Sequence, residues 1–295
     1  MSKQRSVQQE FYVSLWFIAL AIGLAALIAA LYQESTAIVP RTIILCFVLG
    51  FWAFLLYSWA GWRISDVVEL NPNSIVIVAS GVAGLATWLI AWWFMSMVQD
   101  YILNINDYMP PAIYRVENLE EVWFWLVLSD VVLLPLLMLL LMWGVLSAQL
   151  QQLSPWLFAL LAGYLFGMFG MAVFGQGLSG FVGYGLAGFV GGYLSALAKH
   201  GWAGVIVQGV FLYANMLLLD DLARAVGNAD YFEMAWITRV VISFFVLIVA
   251  VQVVRALREP STSKATALPM SIKALLSPLL TLAAIMAVVI LVRGA

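Results

Sequence analysis

Charge is scarce in this sequence. Only 9% of its 295 residues are Asp, Glu, Lys or Arg while 65% are hydrophobic, so it lacks the polar surface that a water-soluble globule presents. Histidine and cysteine occur once each. A lone Cys46 forms no intrachain disulfide and no cysteine-based zinc site, and its place inside an apolar run gives it a packing role. One histidine also excludes several histidine-ligated pigments, so the thirteen tryptophans read as core and interface aromatics. No basic run is interleaved with aromatics, which removes nucleic acid as a partner. Nucleotide, dinucleotide and common zinc signatures are also missing, and no cofactor is expected.

What is present is apolar sequence, with a mean hydropathy of +1.03. Stretches of about 20 such residues recur along the chain, each long enough at about 1.5 Å per residue to cross a hydrocarbon core of about 30 Å. They are apolar on every face, whereas barrel strands alternate apolar and polar, so the expected fold is all-α: a polytopic transmembrane bundle of about nine helices. The helices are placed near 12–32, 42–62, 74–98, 121–149, 155–174, 180–198, 203–219, 234–255 and 271–292. The organisation divides into N-terminal helices and an outer loop (1–134), core helices (135–219) and C-terminal helices (220–295).

The first ten residues are polar and carry Lys3 and Arg5, and the apolar run that follows is too long for a signal-peptide core, so it is expected to stay as a signal anchor. With the N-terminus cytoplasmic, basic residues divide eight inside to five outside, and the C-terminus lies outside. That orientation suits a bacterial inner membrane. Asp100, Asp107, Glu117, Glu120, Glu121, Asp220, Asp221, Asp230 and Glu233 then fall in outer connections. Segment 99–120, with Pro110-Pro111 and several aromatics, reads as a packed cap, a docking surface or an ordinary ordered loop. The polar, proline-containing segment 256–270 sets the ninth helix apart as an appendage. Glycines cluster between 163 and 192, including Gly163-x-x-x-Gly167 and Gly188-x-x-x-Gly192, which marks the place where helix backbones approach most closely.

Few residues can carry chemistry at bilayer depth. Asp130 is the one carboxylate placed inside a span, a functional candidate because an ionised group there is costly, with Ser129 beside it and Arg239 as its most obvious partner. The competing reading puts Asp130 near the headgroups, or neutral and bonded to another helix. Gln208 and Asn215 lie seven residues apart on roughly one face of the seventh helix and read as interhelical glue. His200, beside Lys199, reads as a helix-end residue at the interface. Trp88, Trp92 and Trp93 are candidate contacts for partner chains or interfacial anchors.

From Pro135 to about Asn215 the chain resembles the CPBP family, the CAAX protease and bacteriocin-processing intramembrane proteases. Members carry Pro-x-x-Glu-Glu-x-x-Phe-Arg-Gly on the first core helix; here the same frame runs from Pro135 to Gly144, with Met138, Leu139 and Trp143 at the glutamate and arginine positions. The family's Phe-x-x-x-His becomes Phe166 followed by Gly170. Its last core element resembles GYLSALAKHGWAGVIVQG, with Gln208 where the second histidine belongs. A second glutamate pair, Glu120-Glu121, lies too far upstream of these blocks and is explained by helix-dipole placement.

The resemblance implies the family's helical core with every catalytic position replaced. A methionine or leucine cannot activate water as glutamate does, so the implied cavity is apolar, and Met138, Gly170 and Gln208 are expected around it. The first reading is a catalytically inactive, accessory or assembly subunit, with other membrane subunits and lipids as partners, holding lipid or an isoprenoid tail. An intramembrane protease with relocated groups (Asp130, Glu120 or Glu121) is the second. A transporter is the third, disfavoured by the scarcity of intramembrane charge.

Overall fold

The computed structural model describes residues 7–31, 38–63, 73–98, 123–125, 127–151, 154–173, 177–226, 234–257 and 272–294. Among them are nine α-helices: α1 (Val7–Leu31), α2 (Ile38–Ala60), α3 (Ser74–Met97), α4 (Leu134–Gln151), α5 (Pro155–Val173), α6 (Gly177–Ala198), α7 (Trp202–Val226), α8 (Met234–Ala256) and α9 (Ile272–Gly294). A π-helical stretch, Val127–Leu133, leads into α4, and no strand occurs among the described residues. Six helical stretches are long and apolar enough to span a membrane, and α5, α7 and α9 carry shorter apolar runs. The protein is an all-α, polytopic integral membrane bundle.

Local chemistry explains the boundaries. Ser154 caps α5 by accepting the Leu157 N–H at 3.2 Å, and Pro155 takes the first helical position, where a missing N–H does no harm. Asn73 caps α3 in the same way, accepting from the Ile75 N–H at 2.9 Å. Helix α2 ends on Gly61, whose φ of +75° is the left-handed conformation that terminates helices. Pro135 has no N–H to offer the Val131 carbonyl four residues back, and the chain just before it is wound wide as the π-helix. Three hydroxyls inside the helices are satisfied by their own backbone: Thr87, Ser129 and Ser243 each donate to the carbonyl four residues earlier, whereas the buried Ser80 and Ser96 hydroxyls of α3 have no partner among the described residues. In lipid such self-satisfaction avoids a solitary polar group.

Two apolar clusters form around the α5–α6 hairpin. One unites α1, α2, α4, α5 and α9 with parts of α3, α6 and α7; the other joins α3, α6, α7 and α8. The hairpin is the tightest contact. A Cβ on Gly163 would stand 3.0 Å from the Gly185 carbonyl, one on Gly167 would stand 2.8 Å from that of Phe181, and one on Gly188 would stand 2.5 Å from that of Ala162. Glycine is required at these positions because backbone meets backbone. Elsewhere large apolar groups face outward, as along α2, where Phe47 is 74% exposed and Phe51 and Phe54 follow on the same side. On a membrane protein such a face meets lipid.

Three expectations are corrected. Helix α9 is not an appendage: Ile285 packs on Gly23 of α1, Leu282 and Met286 are buried, and the Tyr164 hydroxyl of α5 donates to the Leu279 carbonyl at 2.9 Å. Pro278 inside α9 frees a carbonyl one turn back, and packing against α1 and α5 tolerates that defect. Helix α7 continues to Val226, so the backbone of Asp220, Asp221 and Arg224 is helical and not part of a connection. Trp88 and Trp92 are internal, with Trp92 packed on Trp236 of α8 at 5.2 Å, and cannot be partner contacts. Segment 99–120, with its acidic residues, and Glu121, Asp230 and Glu233 lie outside the described residues.

Candidate functional site

Helices α4, α5, α6 and α7 leave a small cleft between them, a cavity of about 30 Å³. Helix α4 contributes Met138, Leu139 and Met142 from successive turns of one face. Phe158 and Ala162 of α5 lie across from them, and α6 adds Gly192 and Ser195. Helix α7 supplies Gly204, Val205 and Gln208. All of these are buried or nearly so, and among the described residues Ser195 and Gln208 are the only polar side chains in the lining.

The α6–α7 turn shapes one end. Lys199 adopts the left-handed conformation, with φ of 59°, and stops α6; Gly201 then presents no side chain where Leu139 of α4 packs. Gly204 lies against Gly191, and a Cβ there would stand 2.7 Å from Ser195 Oγ. Its N–H instead donates to that oxygen at 2.8 Å, tying the first turn of α7 to α6. Ser195 therefore acts as an acceptor in this bond, and its own O–H proton is not used in it.

Of the positions singled out by the family resemblance, Met138, Leu139 and Gln208 come together in this cleft. Gly170 does not line it. It packs on the ring of Tyr184, in a layer with Phe166 and Phe211, because the tyrosine occupies the place any side chain at 170 would need. Trp143 belongs to the α4 backbone, and its side chain lies outside the described part.

Asp130 is 6% exposed on the π-helix, which packs against α2, α4 and α7. The Ser129 hydroxyl donates to the Trp125 carbonyl at 2.6 Å and lies 3.2 Å from Asp130 Oδ1. Cys46 of α2 is within electrostatic reach of the same carboxyl. The expected pairing with Arg239 is not formed: α8 packs on α3 and α6, and the Arg239 guanidinium lies over the Trp236 ring, 4.5 Å from its centroid. Asn215 meets Tyr184 rather than the cleft. His200 stands at the helix end expected of it but is buried, 8% exposed, in the α6–α7 turn. Among the described residues no three His, Cys, Asp or Glu stand close enough to share a metal ion.

Sequence reasoning missed Ser195 and Phe158. A usable signal exists, because Gly192 and Ser195 are spaced i, i+3 and Gly204 and Gln208 are spaced i, i+4, so each pair shares a helix face. Comparison with known proteins gives no further direction: no protein family, no curated protein and no solved structure matches this chain.

Proposed function

We propose that the chain is a non-catalytic integral membrane protein that serves as an accessory or assembly subunit of a membrane complex. The observation that carries this reading is the composition of the cleft. Thioethers, methyl groups and one phenyl ring line it, and its two polar groups, a serine hydroxyl and a carboxamide, are not bases at neutral pH. Neither can activate water as the carboxylates and imidazoles of a hydrolase do. The cleft gathers Met138 and Leu139, at the glutamate positions of the resemblance to the CPBP proteases, and Gln208, at a histidine position, while Gly170, at the other histidine position, lies outside it. This supports a degenerate member of that family.

The alternative, intramembrane hydrolysis with relocated groups, centres on Asp130, which does not line the cleft. A bacterial inner membrane with the N-terminus cytoplasmic is the setting proposed for the protein. Incubating the purified chain with prenylated and transmembrane peptides, with divalent metals supplied, tests the reading. Peptides should remain intact, and cleavage abolished by Asp130→Asn would refute it.

A further inference from the structure

Two side chains in the cleft hold hydrogen-bonding capacity that no described neighbour uses. Gln208 of α7 is 6% exposed, and its carboxamide makes no hydrogen bond to a described residue, so two N–H donors and a carbonyl oxygen are left over among Met138, Met142 and Phe158. Ser195 of α6 accepts the Gly204 N–H at 2.8 Å, and its own O–H proton finds no acceptor among the described residues. Inside a bilayer no surrounding solvent relieves such groups.

The two groups are near each other. Gly204 and Gln208 stand one turn apart on the same face of α7, about 6 Å along its axis at about 1.5 Å per residue, and the Ser195 oxygen rests on the Gly204 N–H. Side chains of a helix lean toward its N-terminus, which brings the carboxamide of Gln208 back towards Ser195. One molecule making two hydrogen bonds of about 2.8 Å spans the interval that remains. Size narrows the choice of molecule. The cavity is about 30 Å³ and a water takes up about 10–15 Å³ of such space, so two waters fit and a larger ligand does not.

We infer that the cleft is a hydration site inside the bundle, holding a pair of waters of which one bridges Ser195 of α6 to Gln208 of α7. The bridging water accepts the Ser195 proton and donates to Gln208 Oε1; the second accepts from Gln208 Nε2 and bonds to the first. Each then has partners within the range of about two to four that buried waters hold. With no base in the lining the waters are structural, and they complete the α6–α7 contact that the Gly204–Ser195 bond begins. This goes beyond the proposed subunit role and stands independently of it.

The methionines are the reporters that test it. Hydroxyl radicals generated from bound water by an X-ray pulse oxidise the side chains beside it, and mass spectrometry of the purified full chain in mild detergent reads each residue. Met138 and Met142, 1% and 6% exposed, line the cleft, whereas Met286 and Met216, 1% and 7% exposed, do not. A scavenger in the buffer intercepts radicals from bulk water. With scavenger present, Met138 and Met142 should be oxidised severalfold faster than Met286 and Met216. Gln208→Leu should erase that excess and leave Met286 and Met216 unchanged, because an apolar cavity stays dry. Equal rates in the two pairs overturn the inference, as does an excess that the scavenger removes or that Gln208→Leu preserves. The wild-type comparison decides the matter even if the variant does not fold. Peptide cleavage or a monomeric native mass refutes the proposed function and leaves this result untouched.

Discussion

The carboxamide of Asn215 on α7 donates to the hydroxyl of Tyr184 on α6 at 3.1 Å, and both residues are almost wholly buried. The bond joins two helices at a level where α5 presents Gly170, whose missing side chain leaves room for the tyrosine, beside Phe166. Interhelical hydrogen bonds in membranes are worth about 0.6 kcal/mol on average and at most about 1.7. A double-mutant cycle of Tyr184→Phe and Asn215→Leu should therefore give a coupling of about 0.5–1.5 kcal/mol in thermal or denaturant unfolding. Strict additivity would show that the bond contributes nothing.

Overpacking at the α5–α6 hairpin should be far more damaging. A Cβ on Gly188 would already lie 2.5 Å from the Ala162 carbonyl, whereas one on Gly81 of α3 meets nothing nearer than 3.9 Å. Gly188→Leu should cost at least about 2–3 kcal/mol or prevent folding, and Gly167→Leu should behave alike. Gly81→Ala should be close to neutral. A melting series in which the two classes are indistinguishable would remove the hairpin from the packing centre.

Asp130 and Arg239 should behave as strangers. Arg239 rests on Trp236, a cation–π contact worth about 0.5–1 kcal/mol at an exposed site, while Asp130 has Ser129 beside it. Arg239→Gln should cost about that much, Asp130→Asn should be mild, and the double variant should equal the sum of the two. A coupling above about 1 kcal/mol between them would mean that they form an ion pair in the membrane.

Much of this architecture is legible in the sequence, and the reasons differ by feature. Nine apolar runs give the nine helices of the described residues because lipid leaves the backbone no other way to satisfy its hydrogen bonds. The glycine cluster gives the hairpin because small residues mark backbone contact. Helix ends are less legible, and α7 outran its expected end at 219 because polarity alone stops no helix when Asp220 to Val226 contain neither Pro nor Gly. The π-helix is invisible to periodicity, since only Pro135 hints at it. Motif position puts Met138 and Gln208 in one cleft, whereas Gly170 lies apart from it because spacing along one helix says nothing about which neighbour, here Tyr184, fills the gap. The burial of Trp88 and Trp92 is not legible because an aromatic run looks alike in sequence whether it faces lipid or core.

If all nine of the described helices cross, the termini lie in opposite compartments, and the basic residues then favour a cytoplasmic N-terminus. Reporter fusions at the two ends should give opposite signals. Matching signals would mean that α5, α7 or α9, the helices with the shorter apolar runs, does not cross.

The subunit reading is tested most directly by the native mass of the tagged protein after extraction from its own membrane in a mild detergent. The single chain is 32.5 kDa. The proposed role predicts a defined particle well above that mass, with other membrane chains present in fixed ratio and retained through a second purification step. A monodisperse 32.5 kDa chain carrying only detergent and lipid would contradict it.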